Sequence, residues 1–399
     1  AMFTYSQLAQ TISSPAADFY YSLDISPEVK AKLISVTHSD PTGQEGYETP
    51  REVQEAVTKG IDRPQMYDNP HGTKEANERI AAKYSYPHHQ VHYTHVMMEK
   101  GNIGAIYRIF LSLLDVGDNA VLPAPSYHVY GSILQTLDCQ ARHYQLEKEN
   151  EWRVNLASLE EAINENTKVV VVSNPNNPCG GVLSREELLG IIEICARHRV
   201  LILSDEVYHK QVFEGEFVSM GELAGDHPVI VLDSLDFKAM APGWRLAWTV
   251  IYDKLNRTEA LRKKLYDIGL IFTNPATFLM YSVADVFDTF NPAFFEGINR
   301  RLKANADYIA SLVEGLPAVS FTKPKGSFVC LVNIDLEALH MHSSFEFCKR
   351  LAEEEGVIVF PAEVFGGKGG FRLTLFQSQE VLAEIFARVR GLVSRIMAS

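Results

Sequence analysis

Lys168 is followed by four β-branched residues in a row, Val169-Val170-Val171-Val172. Such a run has no polar face to show to water. It predicts a strand covered on both sides, as in a parallel sheet between two layers of helices. Residues 200–203 and 229–232 repeat the pattern. Helical apolar spacing is read over 101–114, 126–137 and 156–163, and an exposed helix over 74–84. A further helix begins at Ser184, whose Glu187 three positions on completes a capping box. Shorter strands are expected at 119–123 and 140–146. After about residue 290 the order changes to a long helix, then strands near 327–334, 357–361 and 371–376 around a helix near 344–355. The expected fold is therefore α/β. A three-layer αβα large domain with a mostly parallel sheet spans 46–285, and a smaller α+β domain spans 286–399. Residues 1–45, broken by Pro15, Pro27 and Pro41, are read as an irregular segment joining the smaller domain.

Composition narrows the partners. Lys and Arg number 37 against 50 Asp and Glu, a formal net charge of −13. That argues against nucleic acid, whose phosphates need a basic face. Small anionic ligands need only two or three placed cations and stay open. No apolar run approaches the ~20 residues of a membrane span, and the first residues lack the basic and apolar blocks of a leader. Five widely spaced cysteines fit reduced thiols, so a cytoplasmic protein without a membrane partner is expected.

In open α/β sheets, ligands sit beyond the carboxyl ends of the strands. Three turns at those ends carry unusual polar residues: Ser173-Asn174-Pro175-Asn176-Asn177-Pro178-Cys179-Gly180, Ser204-Asp205-Glu206-Val207-Tyr208, and Asp233-Ser234-Leu235-Asp236-Phe237-Lys238. Pro242-Gly243-Trp244-Arg245 follows shortly. Taken singly, each has a structural explanation. Asp205 can cap a turn, Asn177 can precede a proline in a loop, Tyr127 and Tyr208 can be core aromatics, and Arg245 and Arg372 can be surface ion-pair residues.

Together, in this order and spacing, the blocks resemble the fold-type I, pyridoxal-phosphate-dependent aminotransferases, nearest the tyrosine and alanine aminotransferase branch, from about residue 34 to the C-terminus. The resemblance implies pyridoxal phosphate (PLP) or its amine form, pyridoxamine phosphate (PMP), as cofactor, an α-amino or α-keto acid as substrate, and a homodimer. It places Asp205 at the ring nitrogen, Asn177 and Tyr208 at the ring 3-oxygen, and Tyr127 over the ring face. Ser234, Arg245 and the helix start at Gly101 and Asn102 would take the phosphate. Tyr67 would reach the phosphate of the neighbouring subunit. Arg372 would take the substrate carboxylate as a bidentate pair, beside Ser39 in the N-terminal loop.

One position breaks the pattern. The family's lysine, which condenses with the cofactor and moves the substrate proton, lies three residues after the serine and eight before the arginine. Both counts arrive at Phe237. Phenylalanine can do neither task. Lys238 is next, and neighbours in an extended or irregular segment point apart, so it is expected to face away unless the chain slips locally. Asp236 stands where a small residue is usual, Ile103 where the phosphate loop usually offers a hydroxyl, and Ala247 where a glycine is usual. Three readings follow. The chain holds PLP or PMP without a covalent link, with water, Tyr208 or Lys238 moving the proton. Or it has given up the cofactor, as a PLP-independent enzyme or a binding protein that takes a carboxylate through Arg372. Or Lys238 reaches in, and the protein is an ordinary aminotransferase.

Two other signals are weaker. His88, His89, His92 and His95 lie close in sequence but lack a cysteine pair and are read as solvated imidazoles, not a metal site. Gly366-Gly367-Lys368-Gly369-Gly370 lacks the Ser/Thr and helix start of a phosphate loop, and reads as a loop delivering Arg372.

Overall fold

The computed structural model describes residues 3–399. Ala1 and Met2, at the start read above for a leader, lie outside it. Eight strands form the main sheet. In spatial order they are Val96–Glu99, Ala247–Tyr252, Val229–Ser234, Leu201–Asp205, Thr167–Ser173, Asn119–Ala124, Gln140–Glu147 and Arg153–Val154. The five from Val229–Ser234 to Gln140–Glu147 run parallel, and Ala247–Tyr252 is antiparallel to both its neighbours.

The valine run behaves as its composition requires. Val169 and Val171 pack on one face against Ile106, Ile109 and Phe110 of the helix Gly101–Leu113. Val170 and Val172 pack on the other against Leu188, Ile191 and Ile194 of the helix Arg185–His198. All four are fully buried, each stabilising the fold by roughly 1.5–3 kcal/mol. Ile202 and Leu203, and Val231 and Leu232, divide between the same two faces. Three layers result, helix on sheet on helix.

A second sheet is antiparallel, ordered Val319–Phe321, Val329–Ile334, Gly370–Thr374, Phe360–Pro361. Helices Pro292–Val313, Ser344–Glu355 and Gln379–Ala398 cover it with Leu302, Phe347, Leu351, Leu382 and Val389. The N-terminal strand Ile34–Ser35 pairs in parallel with Val357–Ile358. Among the described residues, no helix is long and apolar enough to cross a membrane.

Two expectations need correction. The segment read as irregular holds short helices at Gln7–Thr11, Pro15–Tyr21 and Pro27–Lys30, each capped by a serine: Ser6, Ser14 and Ser26. Pro15 and Pro27 are not breaks. They occupy the first helical turn, where proline's missing N–H costs nothing. The helix Lys74–Tyr84, read as exposed, buries Ala76, Asn77, Ile80 and Ala81. Asn77 donates from Nδ2 to the carbonyls of His71 and Val96, at 2.9 and 3.1 Å, so a polar residue serves the buried face.

The capping box is formed. Ser184 Oγ accepts from the Glu187 amide at 3.2 Å, and Glu187 Oε2 accepts from the Ser184 amide at 2.9 Å. Glu187 Oε1 also accepts from the Val154 amide at 2.8 Å, tying the helix to the sheet edge. Ser184→Ala is expected to lose about 1 kcal/mol in urea denaturation. Glu187→Ala should lose about 2 kcal/mol or more, because it also strands a buried amide. Equal losses would show that the Val154 bond contributes nothing.

Candidate active site

Asp205 ends its strand with a buried side chain. Its Oδ2 accepts from the Tyr130 hydroxyl at 2.7 Å. Burial lifts its carboxyl to about 6, against the lowering effect of the Tyr130 and Val207 bonds. A buried carboxylate under that strain is stabilised by a cationic ligand. Tyr208, three residues on, lies nearly parallel to Phe237, with ring centroids 4.9 Å apart and an interplanar angle of 17°. Phe237 in turn packs on Phe328 of the second sheet's core at 5.1 Å. It is held as part of an aromatic stack.

Ser234 and Arg245 form a second corner. Arg245 sits at φ +55° with its guanidinium against Gly101, at φ +75°. A Cβ on Gly101 would lie 2.1 Å from an Arg245 nitrogen, so only glycine lets the arginine reach the helix start. Ser234 Oγ accepts from the Asp236 amide at 3.2 Å. Asp236 Oδ2 lies 3.5 Å from Arg245 Nη1, while its buried Oδ1 and the buried Oδ1 of Asn102 have no partner. Burial lifts Asp236 to about 6, with Arg245 opposing.

Arg372 closes the cleft from the other sheet. It projects from the strand expected near 371–376, into which the glycine-rich loop leads, and is paired there with Leu331 and Phe360. Nη2 donates to the Thr37 carbonyl at 2.5 Å and Nη1 to Asn177 Oδ1 at 3.3 Å. Nε is buried without a partner. The guanidinium lies 4.7 Å over the Phe365 ring, and burial pulls it down to about 10. Tyr127 and Tyr208 lie among these charged groups. Burial raises both hydroxyls, and both respond to the charges of Arg372, Asp205 and Asp236. Ser39 is half-buried near Thr37 in the chain, and Tyr67 is exposed on this chain.

Lys238, offered above as a doubtful catalytic group, is turned out of this cleft. Its Nζ pairs with Asp233 and donates to the Ser234 carbonyl at 3.1 Å. Asp233 also accepts from the Tyr84 hydroxyl and from the Ser234 amide, the latter at 2.8 Å, and lies 3.1 Å from His209 Nε2. Although burial works against it, Lys238 and His209 hold Asp233 down to about 2. The cause is local. The amides of Lys238 and Ala239 both bond the Leu235 carbonyl, at 3.2 and 2.8 Å, so the segment is a helical turn and not extended chain. Successive side chains then diverge by about 100°. Phe237 faces Tyr208, and Lys238 faces the opposite side.

Sequence reading missed Thr37, Tyr130, Asp233, His209 and Tyr84. Asp233 and His209 directly adjoin Ser234 and Tyr208, so their place on the far side follows from those assignments once made. Tyr130 and Thr37 carried no signal. Of the histidine cluster, His88 bonds the Glu222 carbonyl at 2.7 Å, His92 bonds Thr94 at 2.8 Å and His95 bonds the Ile251 carbonyl at 3.1 Å, while His89 is buried with its Nδ1 unpartnered and is not the solvated imidazole expected.

Polar groups at the heads of parallel strands, an arginine against a helix start and a second arginine brought by another sheet stand where open α/β sheets bind their ligands. The family description "Aminotransferase class I and II" matches residues 31–389, and the chain belongs to that family. It is 26% identical to the tyrosine aminotransferase of Mus musculus over 96% of this chain and 86% of that protein. It is 27% identical to nicotianamine aminotransferase 1 of Oryza sativa subsp. japonica over 96% and 79%. The solved tyrosine aminotransferase of Leishmania infantum superposes with a TM-score of 0.93 at 25% identity, covering 98% of both chains. The alanine aminotransferase of Pyrococcus furiosus superposes with 0.91 at 26% identity, covering 98% of this chain and 100% of the other.

Asp205 gives a prediction of definite sign. Its folded carboxyl titrates about 6 against 3.8 unexposed to the fold, so the native state holds the proton more tightly. The penalty is absent below about pH 4, grows to about pH 6 and persists above. Asp205→Asn should therefore raise stability near pH 8 by on the order of 2–3 kcal/mol relative to its effect near pH 3.5. Urea denaturation at the two pH values checks this, and equal effects would refute it.

Proposed function

We propose that this protein binds PLP or PMP without a covalent link, together with an α-amino or α-keto acid. The observation that supports the reading is that Arg372 bonds Asn177, while Tyr127 and Tyr208 both feel the charges of Asp205, Asp236 and Arg372, with Phe237 stacked on Tyr208. The donor set fits the cofactor. Asp205 is a buried anion suited to a ring N–H⁺, and Asn177 and Tyr208 suit the ring oxygen. Ser234, Arg245, Gly101 and Asn102 suit the phosphate, and Tyr127 suits the ring face. The orphaned Nε of Arg372 suits a substrate carboxylate, with Ser39 in the adjoining loop. When bound, the cofactor would supply an electron-withdrawing ring for chemistry at the substrate α-carbon.

Proton handling differs from that of a lysine-bearing site. Burial keeps the Tyr208 hydroxyl protonated, so it donates a hydrogen bond and is no base near neutrality. Lys238 is committed to Asp233. Asp236, at about 6 with one free oxygen, is the cleft group able to take and return a proton near neutral pH. Loss of the lysine should lower the rate by roughly 10²–10⁴-fold. The tyrosine aminotransferase relatives suggest an aromatic, monocarboxylic substrate. A homodimer in which Tyr67 serves the neighbouring copy completes the site. Residues 46–285 are the cofactor-holding unit, and 1–45 with 286–399 the smaller one. Five free, buried cysteines suit a cytoplasmic location.

A second reading rests on Phe237 and Asp236. The ring fills space beside Tyr208, and the carboxylate takes Arg245. On that reading the cofactor is gone, and Arg372 binds another carboxylate in a PLP-independent enzyme or a binding protein.

Mass and absorbance separate the two. Wild-type protein with PLP should show a cofactor band and no mass gain after borohydride. Phe237→Lys should gain one pyridoxyl phosphate, mapped to position 237. A wild type that takes up neither PLP nor PMP would leave only the second reading. Asp236→Asn should keep cofactor absorbance while removing the limb near pH 6 from the pH–rate profile. An unchanged profile would exclude Asp236 from proton transfer. Arg372→Ala should weaken binding of an α-keto acid at least roughly tenfold, the loss of one charge-assisted pair, with the cofactor band intact.

A further inference from the structure

Behind the turn that carries Phe237 and Lys238 lies a second cavity of about 490 Å³, on the far side from Arg372. Lys238, paired with Asp233, is among its lining residues. Phe217, Phe287, Phe290 and Phe295 wall it, and Lys83 and Lys210 stand at its edge.

The charges do not balance inside this space. Among the described residues, neither Lys83 nor Lys210 makes an ion pair. The Lys210 ammonium lies 5.5 Å over the Phe295 ring; partial loss of water disfavours its charge, the Asp233 carboxylate, already paired with Lys238, favours it, and the Lys83 charge disfavours it. Two like charges beside one apolar hollow are relieved by an anion between them. The one buried acid of the lining, Glu206, does not supply it. Ser204, Ser219 and the Met220 amide occupy its oxygens, and burial lifts it to about 8, so it is mainly neutral near pH 7. Glu296 is exposed at the rim. Asn299 Oδ1 is a buried, unpartnered acceptor in the same lining. His209 Nε2 lies near Asp233 Oδ2 but out of hydrogen-bonding line.

We propose that this cavity is a second ligand site, separate from the cofactor cleft, for a small aromatic carboxylate. Its ring would lie among Phe217, Phe287, Phe290 and Phe295, and its anion on Lys83 and Lys210. A flat apolar body matches the four aromatic walls, and a single carboxylate matches two unpaired ammonium groups. The site does not depend on whether PLP is bound.

The test uses 4-fluorophenylacetate as probe, followed by ¹⁹F NMR on the full chain. Wild type should show saturable binding that survives Arg372→Ala. The double variant Lys83→Ala/Lys210→Ala should weaken that binding roughly tenfold or more. Both lysines are solvent-exposed, so the variant should fold, which circular dichroism verifies. Uncharged 4-fluorobenzyl alcohol should bind more weakly than the acid. The proposal fails if no saturable binding occurs, or if binding disappears with Arg372→Ala. It fails equally if the double variant binds as wild type, or if the alcohol binds as well as the acid.

Discussion

A parallel sheet buried on both faces can offer polar chemistry only at the ends of its strands. Every residue between those ends is covered by a helix layer, as Val169 to Val172 are. The helices return the chain to the same edge each time, so successive strands present their last residues side by side. Asp205 and Ser234 are such last residues, and Asn177 and Tyr208 lie just beyond. The cleft is a consequence of the core. Weakening the two-sided packing would move all four groups together.

The second constraint is the turn after Ser234. A helical turn separates neighbouring side chains by about a quarter of a rotation, so one residue can serve the cleft while the next serves the far side. Phe237 joins the aromatic stack that links Tyr208 to Phe328 and the smaller sheet. Lys238 is fixed by Asp233, itself held by Tyr84, His209 and a backbone amide. Breaking a buried, multiply bonded pair of this kind costs roughly 3–5 kcal/mol. Lys238 therefore cannot swing into the cleft as a cheap alternative rotamer.

Charge is met unevenly among these side chains. Phe237 sets an apolar ring at the cleft wall, with the Asp236 carboxylate one residue before it. Arg245 is opposed by Asp236, whereas Arg372 has no acid beside it and keeps a free N–H. Of the two arginines, Arg372 is thus the one with a buried donor left open. The relatives by sequence include aminotransferases and an S-alkyl-thiohydroximate lyase of Arabidopsis thaliana, so the family scaffold carries more than one reaction class.

The sequence by itself determined the layered α/β architecture, because four consecutive valines and their counterparts have no other way to leave water. It also determined which turns bring polar residues to the strand ends, since such residues have no core to serve. The absence of a lysine at position 237 was legible by counting from two anchors. Only the tertiary structure decided where Lys238 goes, because its partner Asp233 and the helical turn that aims it depend on neighbours brought from residues 84 and 209. It alone showed that Arg372 has Thr37 and Asn177 as partners. Contacts between residues hundreds of positions apart leave no periodicity in a single chain, so a sequence can name the groups of a site without fixing what each one faces.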